Sequence, residues 1–166
     1  MPRTERLQIL PLTLEQFALL LTDKGCLERN LGLQPSGISL DEHTREAMSG
    51  LLQEAARHPE NSFWYTYWVI ICTADCVSVG GLCFMGEPDA SGTVEVGYGI
   101  DEPYRNHGYM TEALSVASAW AKEQTGVRAV TAVCERDNTA SVRVLEKCGF
   151  FSCGTDEKLI HWQTFR

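Results

Sequence analysis

Four residues of chemically useful type crowd one corner of this chain: Arg105, Asn106, His107 and Gly108, inside "YRNHGYMTEAL" (Tyr104–Leu114). The stretch passes from a proline-ended extended segment straight into an alanine-rich helical pattern. The first N–H groups of a helix lack internal partners and carry the positive end of its dipole. A glycine there lets an anion approach the main chain closely, and phosphate is the usual guest. Arg105 adds a planar, permanently charged fork. The corner therefore suits a pyrophosphate, although Gly108 alone is also compatible with a tight turn before a helix.

Other phosphate signatures are missing. No Gly-x-x-x-x-Gly-Lys-Ser/Thr string exists, and "GYGIDE" begins like a dinucleotide fingerprint but has Glu102 in place of its third glycine. A second group with chemical potential lies just upstream, in "TVEVGYGI". Strand alternation puts Glu95, Gly97 and Gly99 on one face, with room beside the carboxylate. Glycine within a strand often marks a bulge or a close backbone approach, so freed N–H groups are expected near one in this strand. Glu95 is either a proton acceptor or a strand-end residue facing water. His43, His58 and His161 show no metal-ligand spacing, and no metal site is expected.

These groups need a scaffold. At 166 residues the chain suits one buried core, and a single domain spanning 1–166 is expected. "RLQILPL" reads as a strand and "TLEQFALLL" as a helix with a Thr13–Gln16 capping box; the polar stretch that follows holds another short helix. "SLDEHTREAMSGLLQEAARH" is helical, with Ser39 and Glu42 at capping-box spacing. "SFWYTYWVIICT", "VSVGGLCFMG" and "TVEVGYGID" read as an antiparallel meander, in which Trp64, Tyr65, Tyr67 and Trp68 alternate as strand residues. A helix from about Gly108 to Glu123, the strand "RAVTAVC", the helix "TASVRVLEKC" and the strands "FFSCG" and "KLIHWQTF" complete the chain. The expected class is α+β: a mostly antiparallel, mixed central sheet flanked by helices.

Charge narrows the partners. The net charge is -8, from 22 acids against 14 bases, which argues against general nucleic-acid binding and suits a cationic substrate such as an amine. The run "FWYTYWVIIC" falls far short of the roughly 20 apolar residues of a membrane helix, so no membrane partner is expected. "MPRTERLQILPLTLEQF" has no sustained apolar region or small-residue cleavage site, and no secretory signal is expected. The seven cysteines form no Cys-x-x-Cys pair, which points to free thiols and a cytoplasmic protein.

"EVGYGIDEPYRNHGYMTEAL" followed by "ERDNTASVRVLEKCGF" resembles the GNAT superfamily of acetyl-CoA-dependent N-acetyltransferases, most of all the ribosomal-protein N-terminal (RimJ/RimL-type) branch. The likeness covers roughly Val77 to Gly154. The family's cofactor-cradling turn reads Gln/Arg-x-x-Gly-x-Gly/Ala. Arg105, Gly108 and Met110 fill these places, Met110 departing from the pattern. The resemblance implies that Arg105, Asn106, His107, Gly108, Tyr109 and Met110 hold the phosphates of acetyl-CoA. It implies that the pantetheine arm pairs near Gly99 and Ile100, and that Asn138 contacts that arm. It implies Glu95 as general base, Ser141 as a hydroxyl near the CoA sulfur, and no metal.

Many family members carry a tyrosine acid on the later helix, where this chain has Leu145. Asp137 or Asn138 could also be no more than a helix cap. The implied activity is acetyl transfer to a primary amine, a protein N-terminus being one acceptor it allows, by direct attack in a ternary complex. The alternative carried by Met110 and the missing tyrosine is an acyl-CoA-binding module without transferase activity.

Overall fold

A computed structural model describes residues 1–166. Seven strands, β1 (Leu7–Pro11), β2 (Tyr67–Cys72), β3 (Val77–Phe84), β4 (Thr93–Ile100), β5 (Ala129–Glu135), β6 (Phe151–Thr155) and β7 (Leu159–Phe165), form one sheet in the order β1-β2-β3-β4-β5-β7-β6. Every neighbouring pair is antiparallel except β4 and β5. The α+β class and the meander of β2, β3 and β4 are as expected.

Helices cover the two faces unequally. Helices α1 (Leu14–Thr22), α2 (Lys24–Asn30) and α3 (Glu42–Arg57) enclose a smaller core with Val69, Ile71 and Cys83. Helices α4 (Tyr109–Glu123) and α5 (Thr139–Lys147) lie on the opposite face, over the larger core of Val94, Val96, Val130 and Ala132. Alternation along β4 therefore hands its even-numbered side chains to α4 and α5 and its odd-numbered ones to the other face.

The Thr13–Gln16 capping box forms at α1 as read from the sequence. At α3 the cap is Asp41, not Ser39: its carboxylate accepts from the Thr44 N–H, so the helix starts two residues later than the Ser39 spacing suggested. The aromatic run divides likewise. Pro59–Trp64 winds into a 3₁₀ turn, and only the part from Tyr67 onward enters β2. Trp64 instead packs edge-on against Phe84 and beside Trp120, an aromatic burial that outweighs strand propensity.

The sheet's one bulge near the site falls in β3, not in β4. Register shifts between Ile70 and Ile71, whose partners are Gly80 and Ser78, while the pairing of β4 with β3 runs unbroken from Gly80↔Ile100 to Phe84↔Val96. Gly80 has φ +152, and a Cβ there would sit 2.3 Å from the Gly99 carbonyl oxygen. Glycine at 80 is what lets β3 lie this close to the end of β4.

Candidate active site

Parallel pairing of β4 with β5 covers only Thr93↔Ala129, Val94↔Val130 and Glu95↔Thr131. Beyond Glu95 the two strands diverge and a gap opens. Met85 N–H donates to the Glu95 carbonyl and Asp101 N–H to the Val79 carbonyl. Odd-numbered residues of β4 therefore direct their backbone groups toward β3, and those of Tyr98 and Ile100 face the gap. The freed donors expected in this strand arise from strand divergence rather than from a bulge. Ile100 presents its backbone to the gap. Gly99 pairs toward β3 and contributes open space instead, since a Cβ there would meet nothing within 4 Å.

Two hydroxyls meet on the α5 side of the gap. The Tyr98 phenol lies 2.7 Å from Ser141 Oγ. Burial pushes the phenol up to about 12, against the opposing pull of the Ser141 hydrogen bond, so it keeps its proton well above neutral pH. Ser141 is placed by its cap: Asn138 Oδ1 accepts from the Ser141 N–H at 3.0 Å. Asn138 is thus the N-cap of α5, and its exposed amide NH₂ is left over for a ligand. Leu145, where family resemblance put the missing tyrosine, is fully buried in the core. Sequence reading looked for a phenol on the helix and missed the one on the strand. The usable signal was that Tyr98 alternates with Gly97 and Gly99, toward the helix whose first turn carries Ser141.

On the opposite face, Glu95 is exposed at the last residue of the parallel pairing. Gly97 is not open space beside it, because Met85 Cε lies 2.7 Å from where its Cβ would be. The open stretch of this face is at Gly99. The Tyr67 ring crosses the neighbouring Gly81, so close that a Cβ at Gly81 would overlap it. The carboxylate and the hydroxyl pair are therefore on opposite faces of β4, with the gap between them.

The charged corner closes the end of the gap. Asn106 (φ 66) and Gly108 (φ 78) both take the left-handed conformation, curling the chain just before α4 begins. No side chain caps α4, so its first N–H groups stay available. Arg105, Asn106, His107 and Gly108 are all exposed, and Arg105 Nε donates to the Ile100 carbonyl at 3.3 Å. His107 is tied into the turn, its Nδ1 being 2.8 Å from the Arg105 carbonyl and its ring stacked on Tyr109. Met110 is buried under the turn, so its bulk is spent in the core rather than over the exposed N–H groups. In a chain of net charge -8 the corner gathers an exposed arginine and uncapped helix N–H groups, an arrangement chemically suited to an anion.

Three side chains from elsewhere flank the corner. Arg6 donates to Glu112 through Nε and Nη2, and Lys24 pairs with Asp101 at 2.8 Å just past the end of β4. Burial would raise the Glu112 carboxyl, but hydrogen bonds from Thr4 and Arg6 outweigh it and hold that group below the usual carboxylate range. No group of three or more His, Cys, Asp or Glu side chains is arranged to hold a metal ion, and no helix is long and apolar enough to cross a membrane.

Known proteins resemble this chain in family and in fold. The family described as "Acetyltransferase (GNAT) domain" matches residues 6–151. Over 95 residues the chain is 36% identical to the uncharacterized N-acetyltransferase YjdG of Bacillus subtilis (strain 168), a stretch making up 57% of this chain and 56% of that protein. The matched part is thus only about half the length of that curated relative. The fold is similar to an acetyltransferase of the GNAT family from Bacillus anthracis (TM-score 0.67, 19% identity, 99% of this chain and 97% of that one). It is similar to the ribosomal-protein-S5-alanine acetyltransferase from Vibrio fischeri (TM-score 0.70, 16% identity, 98% and 94%). It is also similar to RimL, a ribosomal L7/L12 alpha-N-protein acetyltransferase solved in complex with coenzyme A (TM-score 0.68, 17% identity, 99% and 96%). At these identities the structural likeness is one of fold.

Proposed function

The chain belongs to the acetyltransferase (GNAT) domain family, and on that premise we propose that it moves an acetyl group from acetyl-CoA to a primary amine by direct attack in a ternary complex. The observation that carries this reading is the gap beyond Glu95, with a carboxylate on one face of β4 and the Tyr98–Ser141 pair on the other. A protein N-terminus is the acceptor class favoured by the ribosomal-protein acetyltransferases that share the fold.

Acetyl-CoA supplies an electrophilic thioester carbonyl and a thiol leaving group. The turn Arg105–Gly108 and the first N–H groups of Tyr109 and Met110 hold the phosphates. The gap-facing backbone of Tyr98 and Ile100 receives the amide-bearing arm, with the free Asn138 amide beside it. Glu95 takes the proton that the acceptor ammonium must lose before it can attack, directly or through a water. The Tyr98 N–H faces the gap and stabilises negative charge developing on an oxygen there. Tyr98 and Ser141 together hand a proton to the departing sulfur. A lone serine is a poor acid; one hydrogen-bonded to a neutral phenol belongs to a two-hydroxyl relay.

Tyr98→Phe tests the relay. It keeps the ring and removes the acid, so the maximal rate should fall about 10- to 100-fold with the KM for acetyl-CoA nearly unchanged. The phenol is a donor below its pKa of about 12 and is lost above it. The wild-type rate should therefore rise as the amine deprotonates and then hold level to about pH 10, where an ordinary tyrosine would already be ionising. A Tyr98→Phe enzyme within twofold of wild type across this range would remove Tyr98 from the mechanism.

A further inference from the structure

Glu112 poses an electrostatic problem. It stands in the first turn of α4, where its charge favours the helix but repels any anion arriving at the same N-terminus. The structure answers with Arg6, a residue 106 positions away that sits just ahead of β1. Arg6 Nε and Nη2 converge on one Glu112 oxygen at 2.8 and 2.6 Å, and the Thr4 hydroxyl donates to the other. Arg6 Nη1 lies 3.3 Å from the His107 carbonyl, and the guanidinium stands 5.0 Å over the Tyr109 ring. A Cβ on Gly108 would lie 3.7 Å from Arg6 Nη2, which places the guanidinium directly behind the turn.

We infer that Arg6 is a positioning residue for the phosphate end of the cofactor, cancelling the Glu112 charge and pinning the His107 carbonyl from behind. The turn's N–H groups are then left facing the incoming anion with the Glu112 carboxylate compensated. This rests on reading the corner as the phosphate cradle. Arg6 itself touches no reacting atom.

The prediction is a sign pattern across a mutant cycle, read on folded protein well below its melting temperature. Arg6→Gln leaves Glu112 bare and should raise the CoA dissociation constant and the KM for acetyl-CoA by about 10- to 100-fold, with kcat nearly unchanged. Glu112→Gln removes the repulsion and should bind CoA at least as tightly as wild type. The double variant should recover to within about fivefold of wild type.

S-acetylpantetheine, a donor without the pyrophosphate, should be used by Arg6→Gln within about threefold of the wild-type kcat/KM. Equal losses with both donors, or a double variant as weak as Arg6→Gln, would show that Arg6 only braces the fold. Should Arg6→Gln fail to fold, Glu112→Gln decides: a folded protein binding CoA more than tenfold weaker than wild type overturns the inference. Wild-type binding of CoA with Arg6→Gln unaffected overturns this inference alone, whereas folded wild type that ignores CoA overturns the cradle reading as well.

Discussion

Replacing Gly108 with Asp is expected to abolish CoA binding and leave the unliganded protein folded, with at most a modest loss of stability from the left-handed backbone. The left-handed conformation at 108 (φ 78) is one that Asp accepts better than most residues. Its carboxylate would stand at the start of a helix with no side-chain cap and within reach of Arg6, both of which favour it. The same carboxylate would put a second negative charge beside a phosphate held at these N–H groups and repel it. At about 4 Å two unit charges interact by ~1 kcal/mol in water and ~4 kcal/mol near a protein surface, so a loss of at least about 100-fold is expected. Wild type should gain roughly 2.7 kcal/mol of stability at CoA concentrations a hundredfold above its dissociation constant, read as a rise in melting temperature. The variant should show no rise at the same concentration. An unchanged ligand shift in folded Gly108→Asp would mean that the corner is only a turn.

The corner was legible because it is local. An arginine, a glycine and the start of a helical pattern fall within a few consecutive residues, and the structure turns them into two left-handed residues and an uncapped helix. The elements were legible for the same reason, apolar periodicity being written along the chain. What the sequence hid depends on how distant segments meet. Tyr98 and Ser141 are 43 positions apart, and their contact follows from where β4 leaves β5, which no local pattern records. The bulge was sought in β4 because of its two glycines, yet it lies in β3, where Gly80 passes the Gly99 carbonyl. Trp64 has a strand residue's composition but follows Pro59 into a 3₁₀ turn and the aromatic core. Ser39 had capping-box spacing, but Asp41 makes the capping hydrogen bond. Arg6 stood outside every motif, and only tertiary packing brings it behind the turn.

The second large effect concerns Glu95. Glu95→Gln should slow acetyl transfer by about 10²–10⁴-fold on the acidic side of the pH profile and leave the CoA dissociation constant nearly unchanged. Glutamine keeps the size and one acceptor oxygen but cannot take a proton. An α-amino group titrates near 7.7–8.0, so below that range the acceptor arrives as an ammonium and depends on a base. Above it the neutral amine is already abundant, and the gap between the two proteins should narrow. A residue that only orients the acceptor would raise its KM and keep the shape of the profile. Glu95 stands exposed at the last parallel pair before the gap opens, and its carboxylate is free to meet an amine from solvent. Wild-type rates in Glu95→Gln along the acidic limb would make it a strand-end residue and move the base elsewhere.

Direct attack requires the amine and the thioester to be bound at the same time. It is tested most directly by the initial rate of free-thiol release from acetyl-CoA, measured as acetyl-CoA and amine concentrations are varied together over a panel of N-terminal peptides and small amines. Thiol release should require an amine, match N-acetylated product one for one, and give intersecting double-reciprocal lines. Parallel lines would indicate an acetylated enzyme and contradict direct attack. Tight CoA binding with no amine-dependent release across the panel would contradict the transferase reading itself and leave a module that only holds acyl-CoA.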